Sequence, residues 1–260
     1  SDRVWDPTAT VLSPSLFKGI DAVVHLAGAG IGDRRWTDQY KATIRNSRVQ
    51  GTHLIAAAMA AAADGPKVLL SGSAIGIYGN RGDEVLDESS ATASGFLADV
   101  CRDWEAATAA AEQAGVRVAH LRTGIVLSPK AGALKKLLPL FRLGLGGRFG
   151  NGKQWQSWIS LTDEVRAIES LLTADVSGPV NLTAPNPANN AEFTRVLAKV
   201  LGRPALVPVP KFGPQLVVGA ELADNLLFHS QRVLPKALES AGFRFEHPTL
   251  EPALRSLLGR

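Results

Sequence analysis

Short apolar runs separated by longer amphipathic or alanine-rich stretches set the pattern of this chain. Val23-Val24-His25-Leu26-Ala27 ends in Gly28-Ala29-Gly30-Ile31-Gly32, which reads as a buried strand running into a turn. A helix is predicted from roughly residue 37 to 62, becoming almost pure alanine toward its end. Pro66 and Lys67 precede a strand over Val68 to Ser71, completing one β-α-β unit. The apolar run continues as Leu69-Leu70-Ser71-Gly72-Ser73-Ala74-Ile75-Gly76-Ile77-Tyr78-Gly79, delivering serines into a glycine-rich turn that closes on Tyr-Gly.

An acidic loop (Asp83, Glu84, Asp87, Glu88) leads to a helix expected from about Gly95 to Ala114, with Gly115 just past its end. Val116 to Leu121 is the next strand. Strands and helices that keep alternating argue for a doubly wound parallel sheet, whose ligands sit at the carboxyl ends of the strands, where Gly28, Ser73 and Thr123 fall. From Leu127 the sequence turns glycine-rich, aromatic and irregular. Pro179 to Thr183 reads as a further strand, Asn190 as the cap of a helix through Leu201 ended by Gly202, and Pro204 to Arg260 as proline-punctuated and partly helical.

Composition narrows the function classes. With 260 residues, 45% of them hydrophobic and 20% charged, the chain can bury a large core. No apolar run approaches the roughly 20 residues of a membrane span. The net charge of +4 is dispersed, without an aromatic-basic repeat, so a nucleic-acid partner is not expected and a phosphate-bearing small ligand fits better. One cysteine, Cys101, allows no internal disulfide, and no targeting signal is visible, so a cytoplasmic location is expected. No metal-ligand spacing accompanies His25, and no metal is expected.

The serine strand closing on Tyr78-Gly79 resembles the active-site strand of the extended short-chain dehydrogenase/reductases. Asp21 to Gly28 resembles their fourth strand, Ser47-Arg48-Val49-Gln50-Gly51-Thr52 their Asn-Val-x-Gly-Thr helix segment, Leu121 to Val126 the strand that passes the nicotinamide, and Trp158 to Asp163 the strand and helix start beside the substrate. Arg34-Arg35-Trp36, the stretch Gly95 to Glu105, Phe141 to Gly147 and Asn190 to Phe193 are similar to the atypical "epimerase family" branch with an added C-terminal segment. The resemblance implies NADP as cofactor, with NAD the alternative, and a small-molecule substrate such as a sugar nucleotide or carbonyl compound. A homodimer through the helix from Gly95 is expected by analogy alone. The resemblance also implies an incomplete Rossmann-like α/β fold, lacking its first strands: an NAD(P)-binding core over residues 1–126, and a smaller substrate-side region over 127–260 with a family-specific segment from about residue 204. The family's Gly-x-x-Gly-x-x-Gly turn, whose amides hold the pyrophosphate, does not occur in this sequence, which starts near the third strand around Val4-Trp5-Asp6-Pro7.

The family's proton relay is a tyrosine with a lysine four residues on, and this chain has neither pairing: position +4 is Ile44 for Tyr40 and Gly82 for Tyr78. Aligning Glu105 with the glutamate that follows the usual motif puts Leu97 at the tyrosine and Cys101 at the lysine. Ser73 is the leading catalytic candidate, a hydroxyl expected to donate to a substrate oxygen, with Ser71 behind it. Tyr78 is the phenol near it, and Cys101 a candidate nucleophile or acid, although the spacing of Leu97, Val100, Cys101 and Trp104 is that of a buried helical face. Leu26, Ala27, Gly28, Thr43, Arg48 and Val126 are candidate cofactor contacts; Arg48 suits phosphate or carboxylate, and it cannot reproduce the hydrogen-bond acceptance of the family's asparagine. Asp163 is expected at a helix N-terminus, where its charge is favourable. Three readings remain open: an NADP-linked oxidoreductase or epimerase-like enzyme with a changed relay, a cofactor-binding sensor or scaffold without turnover, and a fragment that needs an N-terminal segment to function.

Overall fold

The computed structural model describes residues 5, 6, 9 and 11–260, so the strand expected around residues 4–7 lies largely outside the described residues; Trp5 and Asp6 carry no strand. Strand β1 (Ala22–His25), helix α1 (Asp38–Ala60) and strand β2 (Val68–Ala74) form the first β-α-β unit. Strand β3 (Val85–Leu86) precedes helices α2 (Phe96–Ala106) and α3 (Ala109–Gln113), which lead to β4 (Arg117–Thr123). Next come β5 (Ile125–Leu127), α4 (Gly132–Arg142), β6 (Trp155–Gln156), β7 (Trp158–Ser160), α5 (Leu161–Thr173) and β8 (Gly178–Leu182). The chain ends through β9 (Ala188–Asn189), α6 (Asn190–Leu201), α7 (Phe212–Val218), α8 (Ala220–Ala223), a π-helical turn over Asp224–Phe228, β10 (Arg232–Val233), α9 (Lys236–Ser240) and α10 (Leu250–Leu258).

The main sheet has the order β1-β2-β4-β8, with every pairing parallel. Side chains alternate across it. On one face Leu69 and Val118 pack with Leu54, Ile55, Ala58 and Met59 of α1 and with Ala111 of α3. On the other, Leu70, Ala119, Leu121, Val180 and Leu182 pack with Ala167 and Leu171 of α5 and Leu238 of α9. A further cluster joins Leu134, Leu138 and Phe141 of α4 to Phe193 and Leu197 of α6 and Leu254 of α10. Residues beyond 126 therefore build their own core and also cover one face of the main sheet. Among the described residues no helix is long and apolar enough to cross a membrane.

Three local predictions need correction. The helix expected over residues 95–114 is broken at Ala107 and Thr108, where the Thr108 hydroxyl lies 2.7 Å from the Glu105 carbonyl oxygen and 2.9 Å from His120 Nε2, a side chain competing for the helix's own backbone. The cap of α6 is Asn189, which accepts from the Glu192 amide, while Asn190 Oδ1 accepts from the Phe149 amide at 2.7 Å. Strand β2 does not stop at Ser71 but runs through Ser73 to Ala74.

Gly72 lies beside Trp104, whose indole donates to Thr52 Oγ1 at 2.9 Å and so ties α2 to α1. A Cβ at Gly72 would stand 2.5 Å from Cζ2 of that ring. Gly72→Ala is therefore expected to destabilise the protein by about 1–3 kcal/mol through overpacking, read as a lowered midpoint in thermal or urea unfolding; an unchanged midpoint would contradict this packing.

Candidate functional site

Sheet register brings Ser73, Arg122 and Asn181 into one row across β2, β4 and β8. Neighbouring strands in register present their side chains to the same face, here the face that α2 covers. Glu105, in the last turn of α2, receives Arg122 in a bidentate pair, Nε to Oε1 at 2.8 Å and Nη2 to Oε2 at 2.9 Å. Ser73 Oγ reaches the same carboxylate at 2.7 Å. Arg122 Nη1 donates to Tyr78 Oη at 3.0 Å, and Tyr78 donates to Asn181 Oδ1 at 2.8 Å. Asn181 Nδ2 donates to the Leu234 carbonyl, and Glu88 Oε1 accepts from the amides of Asn181 and Ala237, so the network reaches into the C-terminal segment.

The charge states follow from these contacts. Burial pushes the Glu105 carboxyl up, but hydrogen bonds from Arg122 and Ser73 outweigh it and hold the group below its ordinary value. Glu105 is thus an acceptor-only carboxylate, and the hydroxyl facing it must be the donor. The Ser73 hydroxyl expected to donate to a substrate oxygen donates here to Glu105, which leaves its lone pairs free toward the cavity. Tyr78 is fully buried and its pKa is raised, because burial outweighs the nearby Arg122 charge. As a phenol already paired on both sides, it does not serve as a base at neutral pH.

Beside this network lies a cavity of about 400 Å³ at the carboxyl ends of β2 and β4. Ser73, Gly76 and Thr123 line it with Leu26, Arg48, Leu97, Cys101, Trp104, Ile125, Glu164, Leu226 and His229. A second cavity of about 380 Å³ shares Ile31, Ile125, Gln156 and Leu226 with it and extends between α4 and α6 toward Leu137, Trp158 and Phe193.

Of the sequence-predicted residues, Ser73, Cys101, Leu26 and Arg48 meet at the first cavity. Arg48 stacks over Trp104 at 5.0 Å and donates to the Ala29 and Ile44 carbonyls, with Gly28 close against it; a Cβ at Gly28 would stand 3.0 Å from Arg48 Cζ. Ala27 lines a separate cavity with His25. Thr43 and Val126 are not brought to the site: Thr43 is exposed and donates to the Gln39 carbonyl, and Val126 packs into the sheet core. Tyr78 is buried outside the cavity wall. Cys101 touches the cavity, but burial, reinforced by the Glu105 charge, pushes its thiol up to about 12, so a thiolate nucleophile is disfavoured.

Three side chains of this site escaped the sequence reading. Arg122 lay inside an apolar strand, and Glu105 served only as an alignment marker. Glu164 follows Asp163 at the start of α5, where two acidic residues read as a favourable helix N-terminus. Asp163 does more than that: it is fully buried and accepts from the amides of Glu246 and His247, pinning the C-terminal segment. Glu164 points elsewhere, into the cavity wall, with Oε1 accepting from Thr123 Oγ1 at 3.0 Å and Oε2 buried without a hydrogen-bond partner. Burial, only partly offset by the Thr123 hydrogen bond, raises its pKa to about 7.

The chain as a whole is similar to known proteins. The NAD dependent epimerase/dehydratase family matches residues 8–183, and a domain of unknown function (DUF1731) matches residues 209–257. The epimerase family protein Mb2239 of Mycobacterium bovis is 45% identical over 251 residues, covering 96% of this chain and 82% of the relative. A chloroplastic SDR39U1 homologue of Arabidopsis thaliana is 38% identical over 244 residues, 93% of this chain and 69% of the relative. The crystal structure of human epimerase family protein SDR39U1 (isoform 2), solved with NADPH, superposes with a TM-score of 0.89 at 32% identity, covering 96% of this chain and 84% of that one. The chain belongs to the NAD-dependent epimerase/dehydratase family, in its SDR39U1-like branch with a DUF1731 C-terminal segment.

Proposed function

We propose that this protein is an NADP-linked oxidoreductase or epimerase-like enzyme that acts on a small carbonyl or alcohol substrate in the cavity beside Ser73. The observation that carries the reading is the cavity itself, at the strand ends where ligands of such sheets bind, with a serine held in one orientation on its wall. The human relative crystallised with NADPH supports the choice of cofactor.

The residues present fit the nicotinamide end of that cofactor. Leu26 is an apolar side chain left 54% exposed at the cavity lip, and Leu97 and Val100 continue an apolar wall against which a flat ring packs. Arg48, across from it, suits the ribose or a phosphate oxygen. When bound, the dinucleotide supplies or removes hydride. Ser73, held by Glu105, contributes lone pairs that orient a substrate hydroxyl or a ribose hydroxyl. The lining of the two adjoining cavities is mostly apolar and suits a carbonyl compound with an apolar body, while Arg48 and Lys136 leave room for a sugar nucleotide's diphosphate.

One observation favours a second reading, a cofactor-binding sensor or scaffold: Leu97 stands at the tyrosine position, and the Ser73 proton is already spent on Glu105. Turnover separates the two. With a panel of aromatic and aliphatic ketones and aldehydes for NADPH and the matching alcohols for NADP, Ser73→Ala is expected to lower kcat on the alcohols, whose hydroxyl donates to Ser73, about tenfold or more while NADPH affinity, read by fluorescence, stays within about threefold. Cys101→Ala leaves both essentially unchanged. Unchanged turnover in Ser73→Ala would remove Ser73 from the mechanism, and a wild type that binds NADPH yet turns over neither the carbonyl panel nor sugar nucleotides would favour the sensor.

A further inference from the structure

Carbonyl reduction needs a proton at the oxygen, and the groups the family pattern points to cannot deliver it. Leu97 is apolar, the Ser73 hydrogen is held by Glu105, and Tyr78 is paired outside the cavity wall. Cys101 retains its proton up to about pH 12. Burial lowers the pKa of His229 on the cavity wall, which weakens its hold on a proton to give.

Glu164 differs from all of these. It is only 8% exposed, lines the same cavity as Ser73, and leaves Oε2 without a partner. Among the described residues no cation compensates it: from β4 it meets the neutral Thr123, Arg122 on that strand is engaged by Glu105, Arg48 of α1 lies against Trp104 and the Ala29 carbonyl, and the adjacent Asp163 is taken up by Glu246, His247 and Arg166. A buried carboxyl without charge compensation keeps its proton, and a protonated carboxyl is a hydrogen-bond donor.

We infer that Glu164 is the acid and base of this site, its buried carboxyl turning toward the cavity it lines to exchange a proton with the substrate oxygen; the inference rests on the oxidoreductase reading. In the reducing direction a bound nicotinamide would supply the hydride for the new C–H bond, and the carbonyl π pair would move onto oxygen. The O–H bond of Glu164 breaks, and its proton joins that oxygen. The carbonyl is reduced to an alcohol, the nicotinamide is oxidised, and the Glu164 carboxylate regains a proton from water. A carboxyl that titrates at about 7 is matched to this task near neutral pH. The sign follows: the reduction rate falls as pH rises through about 7 and the acid form is lost, while the oxidation rate rises over the same interval.

The test pairs a titration of the protein alone with kinetics. With ¹³C-carboxyl-labelled glutamate, NMR should find one carboxyl titrating near pH 7 that disappears in Glu164→Gln; absence of such a resonance would overturn the inference. With NADPH and the carbonyl panel, Glu164→Gln is expected to lose about a hundredfold or more in kcat, and with it the limb near pH 7, while NADPH affinity and KM stay within about threefold. Should that variant fail to fold, Thr123→Val removes the hydrogen bond that lowers the Glu164 pKa and must shift the limb to higher pH; an unshifted limb counts against the inference. If the wild type turns over and Glu164→Gln keeps kcat and limb, Glu164 is excluded and the oxidoreductase reading survives. If the wild type turns over nothing, both fall together.

Discussion

The bidentate pair between Arg122 of β4 and Glu105 of α2 holds the functional end of this molecule together. Both charges are largely withdrawn from water, at 7% and 13% side-chain exposure, and two charges so placed persist only when each satisfies the other. The remaining donor capacity of Arg122 goes to Tyr78, and the remaining acceptor capacity of Glu105 to Ser73. Through Tyr78 and Asn181 the same pair reaches the Leu234 carbonyl, so the sheet, the helix over it and the C-terminal segment share one polar network.

This network changes what the serine strand means. In a site where serine and tyrosine both face the ligand, the hydroxyl proton is available to a substrate oxygen. Here a carboxylate that cannot donate consumes it, and the phenol is turned into the same buried network. In the proposed mechanism proton supply passes to Glu164, which lines the same cavity and has desolvation without compensation. The two glutamates have opposite fates for one reason: Arg122 faces Glu105 and lowers its pKa, whereas among the described residues Glu164 is hydrogen-bonded by a threonine and paired with no cation.

Much of the fold is legible in the sequence because it rests on periodicity. The apolar runs at β1, β2, β4 and β8 and the glycine after α6 are local signals, and the local structure obeys them. The break between α2 and α3 is not local, since it depends on a Thr108 hydroxyl that also meets His120 on a strand. The site was half legible for the same reason. Ser73, Leu26 and Arg48 end or flank recognisable elements, and the structure brings them to one cavity. Arg122, Asn181 and Glu164 gain their roles from register and helix docking across more than forty residues of sequence, as between Thr123 and Glu164, which no spacing rule encodes.

A double-mutant cycle on Glu105→Gln and Arg122→Met, read by chemical unfolding, tests the network most directly. Each single change is expected to cost about 3–5 kcal/mol by stranding a buried charge, and the double variant to cost clearly less than their sum, because no charge is left unpaired. Single changes near zero, or costs that simply add, would contradict an account in which this pair organises the site.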